Sequence, residues 1–430
     1  MRNKIIIGCL LLGALSAKAQ DTRLSAVEYK ERVLEYSRQI KQSSEERIAM
    51  QHAIKAAKTG FFPSVDFSGS YQYRINKYGL DFGPGMSVEM DHNTYSLGAT
   101  VSQPIYAGGQ IYNNYKAAQV QGKITEQAEE LTTDNIVYSA DLNYWTAAAR
   151  KGMYDVMCQY VDIVGELANV LTIRFNDGQI SKTDLLQVES RLKEAELNKS
   201  SAYKEYQIAL QNLNSLMGVS PLDPIEVEDS ITTYLALPLQ VGEDVALRNR
   251  PDYAISELNI EYQKRQINLS KAKYNPSLAI GFQGTWGTPM LNVKGSDQLW
   301  TPAVFASLKI PLFRWGARFK EVNSQKAILR SKEYALDNTR DKIAQEVANA
   351  WTSLTEYTKQ ITVAEEACKI AEENLDLNTF SYNEGKLPIL DVLSAQLSWI
   401  QSYSSLIQTW YQQKASLAQY NKAIGIRRLQ

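Results

Sequence analysis

The stretch YSLGATVSQPIYAGG, residues 95–109, decides how the rest of the chain is read. Tyr95, Leu97, Ala99 and Val101 alternate with Ser96, Gly98, Thr100 and Ser102, the period-two pattern of a half-buried strand. The alternation closes at Pro104, and the next proline is Pro221. Within that gap apolar residues step by three and four, so a strand feeds a long helix. A helix from about Gln110 to Phe175 would be roughly 100 Å long at 1.5 Å per residue, more than a globular domain requires. The pattern returns in PAVFASLKIPLFRWG, residues 302–316, where Val304, Ala306, Leu308 and Ile310 share a face. Proline is again absent from Pro311 to Pro388.

Working outward, the two stretches belong to two copies of one plan, offset by about 207 residues. Phe61-Phe62-Pro63-Ser64 is echoed by Tyr274-Asn275-Pro276-Ser277, and Trp145 by Trp351. Phe175-Asn176-Asp177-Gly178 with Asp184-Leu185-Leu186 matches Tyr382-Asn383-Glu384-Gly385 with Asp391-Val392-Leu393. Leu216-Met217-Gly218 matches Ala423-Ile424-Gly425. The expected organisation is a targeting segment over 1–19 and a first copy over 20–218. That copy has an opening helix, strands about 63–77 and 95–105, and helices about 110–176 and 181–217. A proline-clustered, irregular linker over 219–251 precedes the second copy, 252–430. Its own opening helix leads to strands about 276–287 and 302–312 and helices about 316–383 and 388–425.

The helices carry coiled-coil seams of mean period 3.5. Val347, Ala350, Leu354, Tyr357, Ile361, Ala364, Cys368, Ala371 and Leu375 form one; a second runs from Leu185 to Leu216, broken at Lys199. Cys158 sits in a comparable row with Tyr154, Val161, Ala168 and Phe175. It reads as a small seam residue rather than half of a disulfide.

The remaining strands alternate in the same way. Val65, Phe67, Tyr71 and Tyr73 face one side in the first copy, and Leu278, Ile280, Phe282 and Trp286 in the second. Each pair is joined by a long Gly-containing loop, 79–94 or 289–300. A water-soluble sheet with one wet face fits this patterning. So does a bilayer strand, because about ten residues suffice for a tilted crossing and the apolar faces are rich in aromatic side chains. One chain supplies four strands, whereas the smallest bilayer barrels have eight. Open edges in lipid leave backbone groups unpaired, so membrane-spanning strands here would require several chains in one barrel.

Composition narrows the function. Among 430 residues, 46 Lys and Arg oppose 47 Asp and Glu, which removes the basic footprint of a nucleic-acid binder. Two His and three Cys supply no His/Cys metal cluster. Carboxylate pairs such as Glu129-Glu130 lie in polar helical stretches and read as solvated faces; no cofactor motif and no catalytic set is expected. Arg2 and Lys4, the apolar run Ile5 to Leu15, and Ala17-Lys18-Ala19 make a secretory signal, with cleavage expected after Ala19 rather than lipidation at Cys9. No later run approaches eighteen apolar residues, so membrane contact without a transmembrane helix is expected.

The chain resembles the outer-membrane efflux protein family, the TolC-like channels. The carriers are Ala56-Ala57-Lys58-x-x-x-x-Pro63-Ser64, Gln103-Pro104-Ile105-Tyr106-x-Gly108-Gly109, Asn249-Arg250-Pro251-Asp252 and Tyr382-x-x-Gly385-x-x-x-x-x-Asp391-Val392-Leu393. The resemblance implies an α+β membrane protein. Long antiparallel coiled-coil helices would form a periplasmic α-barrel. Four strands per chain would enter a trimeric, twelve-stranded β-barrel in the outer membrane. The function implied is the passive exit duct of a tripartite efflux or type I secretion system, joined to a periplasmic adaptor and an inner-membrane transporter. An exported coiled-coil scaffold or tether without a pore is the competing class.

The resemblance also assigns residues. The hairpin tips Asn176-Asp177-Gly178-Gln179 and Asn383-Glu384-Gly385-Lys386 correspond to the adaptor-contact end of the tunnel. Asp391 aligns with an acidic ring that narrows it, and Tyr382 and Asp184 with a contact that holds adjacent helices shut. Ser394 stands where some relatives carry a second Asp, and Leu387 where some carry an Arg, next to Lys386. The residues alone also allow a plainer role: Ser181-x-x-Asp184 resembles a capping box, and Pro388 as first helical residue would leave Asp391 in a first turn.

Overall fold

A computed structural model describes residues 23–76, 79–81, 83–84, 87–289, 293 and 297–426. The signal segment and Cys9 lie outside the described residues. The first half contains β1 (Arg23–Leu24), α1 (Ala26–Tyr36), α2 (Arg38–Thr59), β2 (Ser64–Tyr73), β3 (Gly79–Asp81), β4 (Ser87–Glu89), β5 (Asn93–Ala107), α3 (Gln110–Asn176) and α4 (Lys182–Met217). There follow β6 (Glu226–Val227), α5 (Glu243–Asn249), α6 (Pro251–Ala272), β7 (Ser277–Gly287), β8 (Leu299–Lys309), α7 (Ala317–Asn383) and α8 (Ile389–Ala423). The order α2-β2-β5-α3-α4 recurs as α6-β7-β8-α7-α8. Both α3 and α7 are 67 residues long, about 100 Å each.

The principal sheet has the order β2-β5-β7-β8, antiparallel throughout. Tyr71 lies opposite Tyr95 and Trp286 opposite Trp300. β5 reaches past Pro104 through a bulge between Pro104 and Tyr106 that leaves Ile105 unpaired and lets the ladder resume beyond the residue that cannot donate. The outer edges of β2 and β8 have no strand partner among the described residues. Their apolar side chains are equally uncovered: Val65 is 72% exposed, Phe67 74% and Val304 83%.

Where β5 turns into α3 the chain passes the start of β7 closely. Gly108 has φ +64°, and a Cβ there would stand 2.7 Å from the Ala272 carbonyl oxygen and 2.9 Å from Asn275 Cβ. The Asn275 amide donates to the Gly108 carbonyl at 2.8 Å. A side chain has neither the backbone freedom nor the space to sit here, so sheet and helices meet at a fixed joint.

The helices pack along their lengths, α3 with α4 and α8, α7 with α8, and the shorter α2 and α6 alongside. On α7 the buried line Val347, Ala350, Leu354, Ile361, Cys368, Ala371, Leu375 follows the seam. On α3 the buried line is Val156, Tyr160, Val164, Leu167 and Leu171. It runs beside the row containing Cys158, which is only half-buried; both Cys158 and Cys368 are free thiols. α3 also contains an eighteen-residue window with the hydropathy and low charge of a membrane span, contrary to the sequence expectation. Only 33% of that window is buried within the chain, and α3 as a whole packs against the helices α2, α4, α6 and α8. Lateral packing in a coiled coil accounts for its apolar content.

Two local expectations are corrected and a third is refined. The N-terminal helical stretch is broken at Ser37, whose hydroxyl accepts from the Ile40 amide at 3.4 Å and starts α2, because a Ser side chain competes for backbone groups. The loop 79–94 holds the small hairpin β3–β4. The linker 219–251 is mostly without regular secondary structure, as expected, but it is pinned to its surroundings. β6 pairs in parallel with β1, the Asn214 amide donates to the Pro221 and Asp223 carbonyls at 3.2 and 2.8 Å, and α5 leads into α6 at Arg250. Proline forbids a long helix there but leaves carbonyls free to accept side-chain donors.

This strap closes over the main core, where Tyr29, Tyr144, Trp145, Trp399 and Trp410 meet. The Tyr144 hydroxyl donates to the Asp229 carboxylate at 2.7 Å. Lys414, 1% exposed, lays its ammonium 4.9 Å from the Trp145 ring centroid and 5.2 Å from that of Trp410. It also donates to the Thr233 carbonyl of the strap.

Candidate functional site: the helical tips

Two reversals, α3 to α4 and α7 to α8, lie at the helix ends remote from the sheet. Each is closed in the same way. Gly178 (φ +72°) and Gly385 (φ +73°) sit one residue past the C-caps Asp177 and Glu384. The Gln179 amide donates to the Arg174 carbonyl at 2.8 Å and the Gly178 amide to Phe175 at 3.0 Å. In the other tip Lys386 donates to Ser381 at 2.9 Å and Gly385 to Tyr382 at 3.0 Å. This is the Schellman pattern, which uses the left-handed Gly to satisfy the last carbonyls of the helix. Asn176, Asp177, Gly178 and Gln179, and Asn383, Glu384, Gly385 and Lys386, are all exposed.

The helices that leave the tips start on caps. Ser181 accepts from the Asp184 amide at 3.2 Å, while its hydroxyl donates to the Asp184 carboxylate at 2.9 Å. Pro388 is the N-cap of α8 rather than its first helical residue, and the Asp391 amide donates to its carbonyl at 3.1 Å. Asp391 is exposed in the first turn, where the helix dipole favours a carboxylate.

Between the two reversals lies one apolar knot drawn from four helices. Leu167 and Leu171 come from α3, Leu185 and Val188 from α4, Tyr382 from α7, and Ile389, Val392 and Leu393 from α8. Tyr382 is 8% exposed. Its hydroxyl is buried with no hydrogen-bond partner among the described residues. The structure thus brings Tyr382 into the cluster that includes the start of α4, but the Asp184 carboxylate is engaged by Ser181 and does not receive the Tyr382 hydroxyl within one chain. Beside the knot a groove of about 470 Å³ runs between α4 and α8, lined by Thr183, Leu186, Gln187, Ser190, Arg191, Glu194, Leu390 and Leu393.

Two residues escaped the sequence reading. Arg174 places its guanidinium carbon 5.3 Å from the Tyr382 ring centroid and donates to the Asn383 side-chain oxygen at 3.2 Å. The available signal was a mismatch between copies, since Arg174 falls opposite Ser381. Lys414 is the other. Nothing in its row separates it from a solvated lysine except the nearby Trp410.

A family model described as outer membrane efflux protein matches residues 30–219 and 244–426. The chain belongs to the outer membrane efflux protein family. It is an outer-membrane channel with its helical part in the periplasm, in a family of channels rather than enzymes. Nodulation protein T of Rhizobium leguminosarum bv. trifolii is 25% identical over 59% of this chain, which spans 55% of that relative. Outer membrane protein TolC of Escherichia coli (strain K12) is 19% identical over 98% of this chain and 85% of its own length. Among solved structures, the outer membrane protein VceC of Vibrio cholerae has a TM-score of 0.78 at 16% identity, covering 93% of this chain and 96% of that one.

Proposed function

We propose that three copies of this chain close into a twelve-stranded barrel whose tunnel serves as the exit duct of a tripartite efflux or type I secretion system. The observation that carries the proposal is the open four-stranded sheet, with unpaired edges and lipid-compatible faces, continuous with two 67-residue helices. Two copies would supply eight strands, and an eight-stranded barrel is filled by its own side chains; three is the smallest number that leaves a lumen. Exposed Phe313, Trp315 and Phe319 at the sheet-to-helix joint suit the aromatic girdle at a bilayer interface. The recurring element order supports an origin by internal duplication.

In this reading the tips Asn176 to Gln179 and Asn383 to Lys386 meet a periplasmic adaptor coupled to an inner-membrane transporter. Asp391, Asp184 and Tyr382 form the constriction behind them. Three exposed Asp391 carboxylates around one axis focus a negative potential, attract cations and bind multivalent ones. The test is mass in detergent and conductance in planar bilayers, for wild type and Asp391→Asn. A trimer that forms cation-preferring pores is expected, with preference and block by multivalent cations reduced in Asp391→Asn. A soluble periplasmic monomer without conductance sinks the duct and favours the tether. Pores with unaltered selectivity in Asp391→Asn return Asp391 to helix capping.

A further inference from the structure

The two tips share one backbone turn, and one of their side-chain differences ties them together. Where α7 ends Ser381-Tyr382-Asn383, α3 ends Arg174-Phe175-Asn176, and the extra side chain crosses from one hairpin to the other. Arg174 stacks on the Tyr382 ring, with 5.3 Å between guanidinium carbon and ring centroid, and donates to the Asn383 side-chain oxygen at 3.2 Å. Both targets lie on α7, at the residues that open its reversal. The Tyr382 ring is packed into the apolar knot of α3, α4 and α8, and its hydroxyl makes no bond among the described residues. The ring face therefore adds a cationic tie between the two hairpins to the apolar knot that already packs them together.

We propose that Arg174 is the in-chain latch of the periplasmic mouth, holding the α7–α8 hairpin against the α3–α4 hairpin through the face of Tyr382 and the amide of Asn383. The inference rests on the reading of the tips as the mouth of a duct. A planar guanidinium is suited to the task because it lies flat on the ring and donates from its edge at once; a lysine ammonium is a compact point charge that cannot stack flat on the ring while its edge reaches Asn383. Two contacts of this size bias a two-state mouth and do not lock it, so docking of an adaptor that favours the splayed state can release them.

A plainer role competes. Arg174 lies in the last turn of α3, where any cation is favoured by the helix dipole. Lysine retains that benefit and loses the stack and fork, so it separates the two. The experiment is single-channel recording of the purified full-length protein in planar bilayers, with detergent mass as the control for assembly. Arg174→Ala and Arg174→Lys are both expected to raise open probability about three- to tenfold. Tyr382→Leu should do the same, and Arg174→Ala should add little to it, since the two remove one contact. Tyr382→Phe, which keeps the ring face, should resemble wild type. If Arg174→Ala fails to assemble, Asn383→Ala removes the second contact alone and is expected to give a smaller rise; an unchanged open probability there overturns the latch. Normal trimers whose gating is indifferent to Arg174→Ala also overturn it. Full recovery in Arg174→Lys assigns the residue to the helix end, and opening by Tyr382→Phe equal to that of Tyr382→Leu assigns the closure to the hydroxyl. A wild type that conducts nothing overturns the mouth itself, a result distinct from all of these.

Discussion

Lys414 is held in a place that charge does not favour. Burial lowers its pKa to about 8, opposed by the Asp229 carboxylate, while the Trp145 and Trp410 ring faces and the Thr233 carbonyl offset part of the desolvation. The unfolded lysine titrates near 10.4. Between about pH 8 and pH 10.4 the unfolded chain therefore binds one more proton at this site than the folded chain, and stability rises with pH across that window. Below pH 8 the lysine is charged in both states and its contribution levels off at its least favourable value. Thermal unfolding of the detergent-solubilised protein at pH 7, 8 and 9.5, compared with Lys414→Met, measures this. The difference, wild type minus variant, should move in favour of wild type as pH rises, and a flat difference removes Lys414 as the titrating group. Such a residue is hard to see in sequence because burial of a lysine comes from what packs over it, here a strap some 180 residues away. Asp391 and Tyr382 were singled out because the resemblance aligns them, through the Gly385 motif, with the family's constriction; spacing alone pointed to helix capping. Arg174 was not, because its partners lie on a helix more than 200 positions on.

At the scale of elements, what sequence exposes best is what local chemistry controls. Proline gaps bounded α3 and α7, the heptad seam of α7 is buried as a line, and period-two alternation found all four strands of the principal sheet. What it missed depends on contacts made elsewhere: the contacts that pin the strap from Pro221 to Val241, the break at Ser37, and an α3 seam shifted beside Cys158. The sheet-to-helix joint makes the same distinction testable at two adjacent glycines. Gly108 (φ +64°) faces backbone at 2.7 Å, whereas Gly109 (φ +88°) faces only the Asn113 side chain at 3.4 Å. Both prefer glycine, but only one also lacks room. Gly109→Ala should cost about 1 kcal/mol from backbone strain alone. Gly108→Ala adds a backbone clash and should cost about 2–3 kcal/mol, with a lower yield of assembled protein. Comparison of the two melting temperatures checks the order, and equal losses mean that the close approach to Ala272 has no mechanical role.

For the whole molecule the question is what covers β2 and β8. Counting along the sheet, β2 is antiparallel to β5, β5 to β7 and β7 to β8, so β2 and β8 run in opposite directions. A joint between β8 of one copy and β2 of the next therefore continues the antiparallel ladder without a break in pattern. Within one chain those strands are three spacings apart, about 14 Å, well beyond the roughly 7 Å limit between Cα atoms for a disulfide. Any β2–β8 disulfide must then link different copies. With Cys158 and Cys368 replaced by Ala, cysteines paired between the polar-face positions Ser68 or Ser70 of β2 and Ala303 or Ser307 of β8 sample the register of the joint. Oxidation in intact cells is expected to give a covalent species of three chains for at least one pair, resistant to denaturant and lost on reduction. Controls with one cysteine on β5 and one on β8, at Thr100 and Ser307, should give no cross-linked ladder, because β5 is interior. If protein recovered from the outer membrane shows no β2–β8 linkage for any pair, the edges are covered by something other than a second copy, and the shared barrel fails even if the helices assemble. If linkage stops at two chains under full oxidation, the strand count falls to eight and the lumen closes, which removes the duct while leaving the fold.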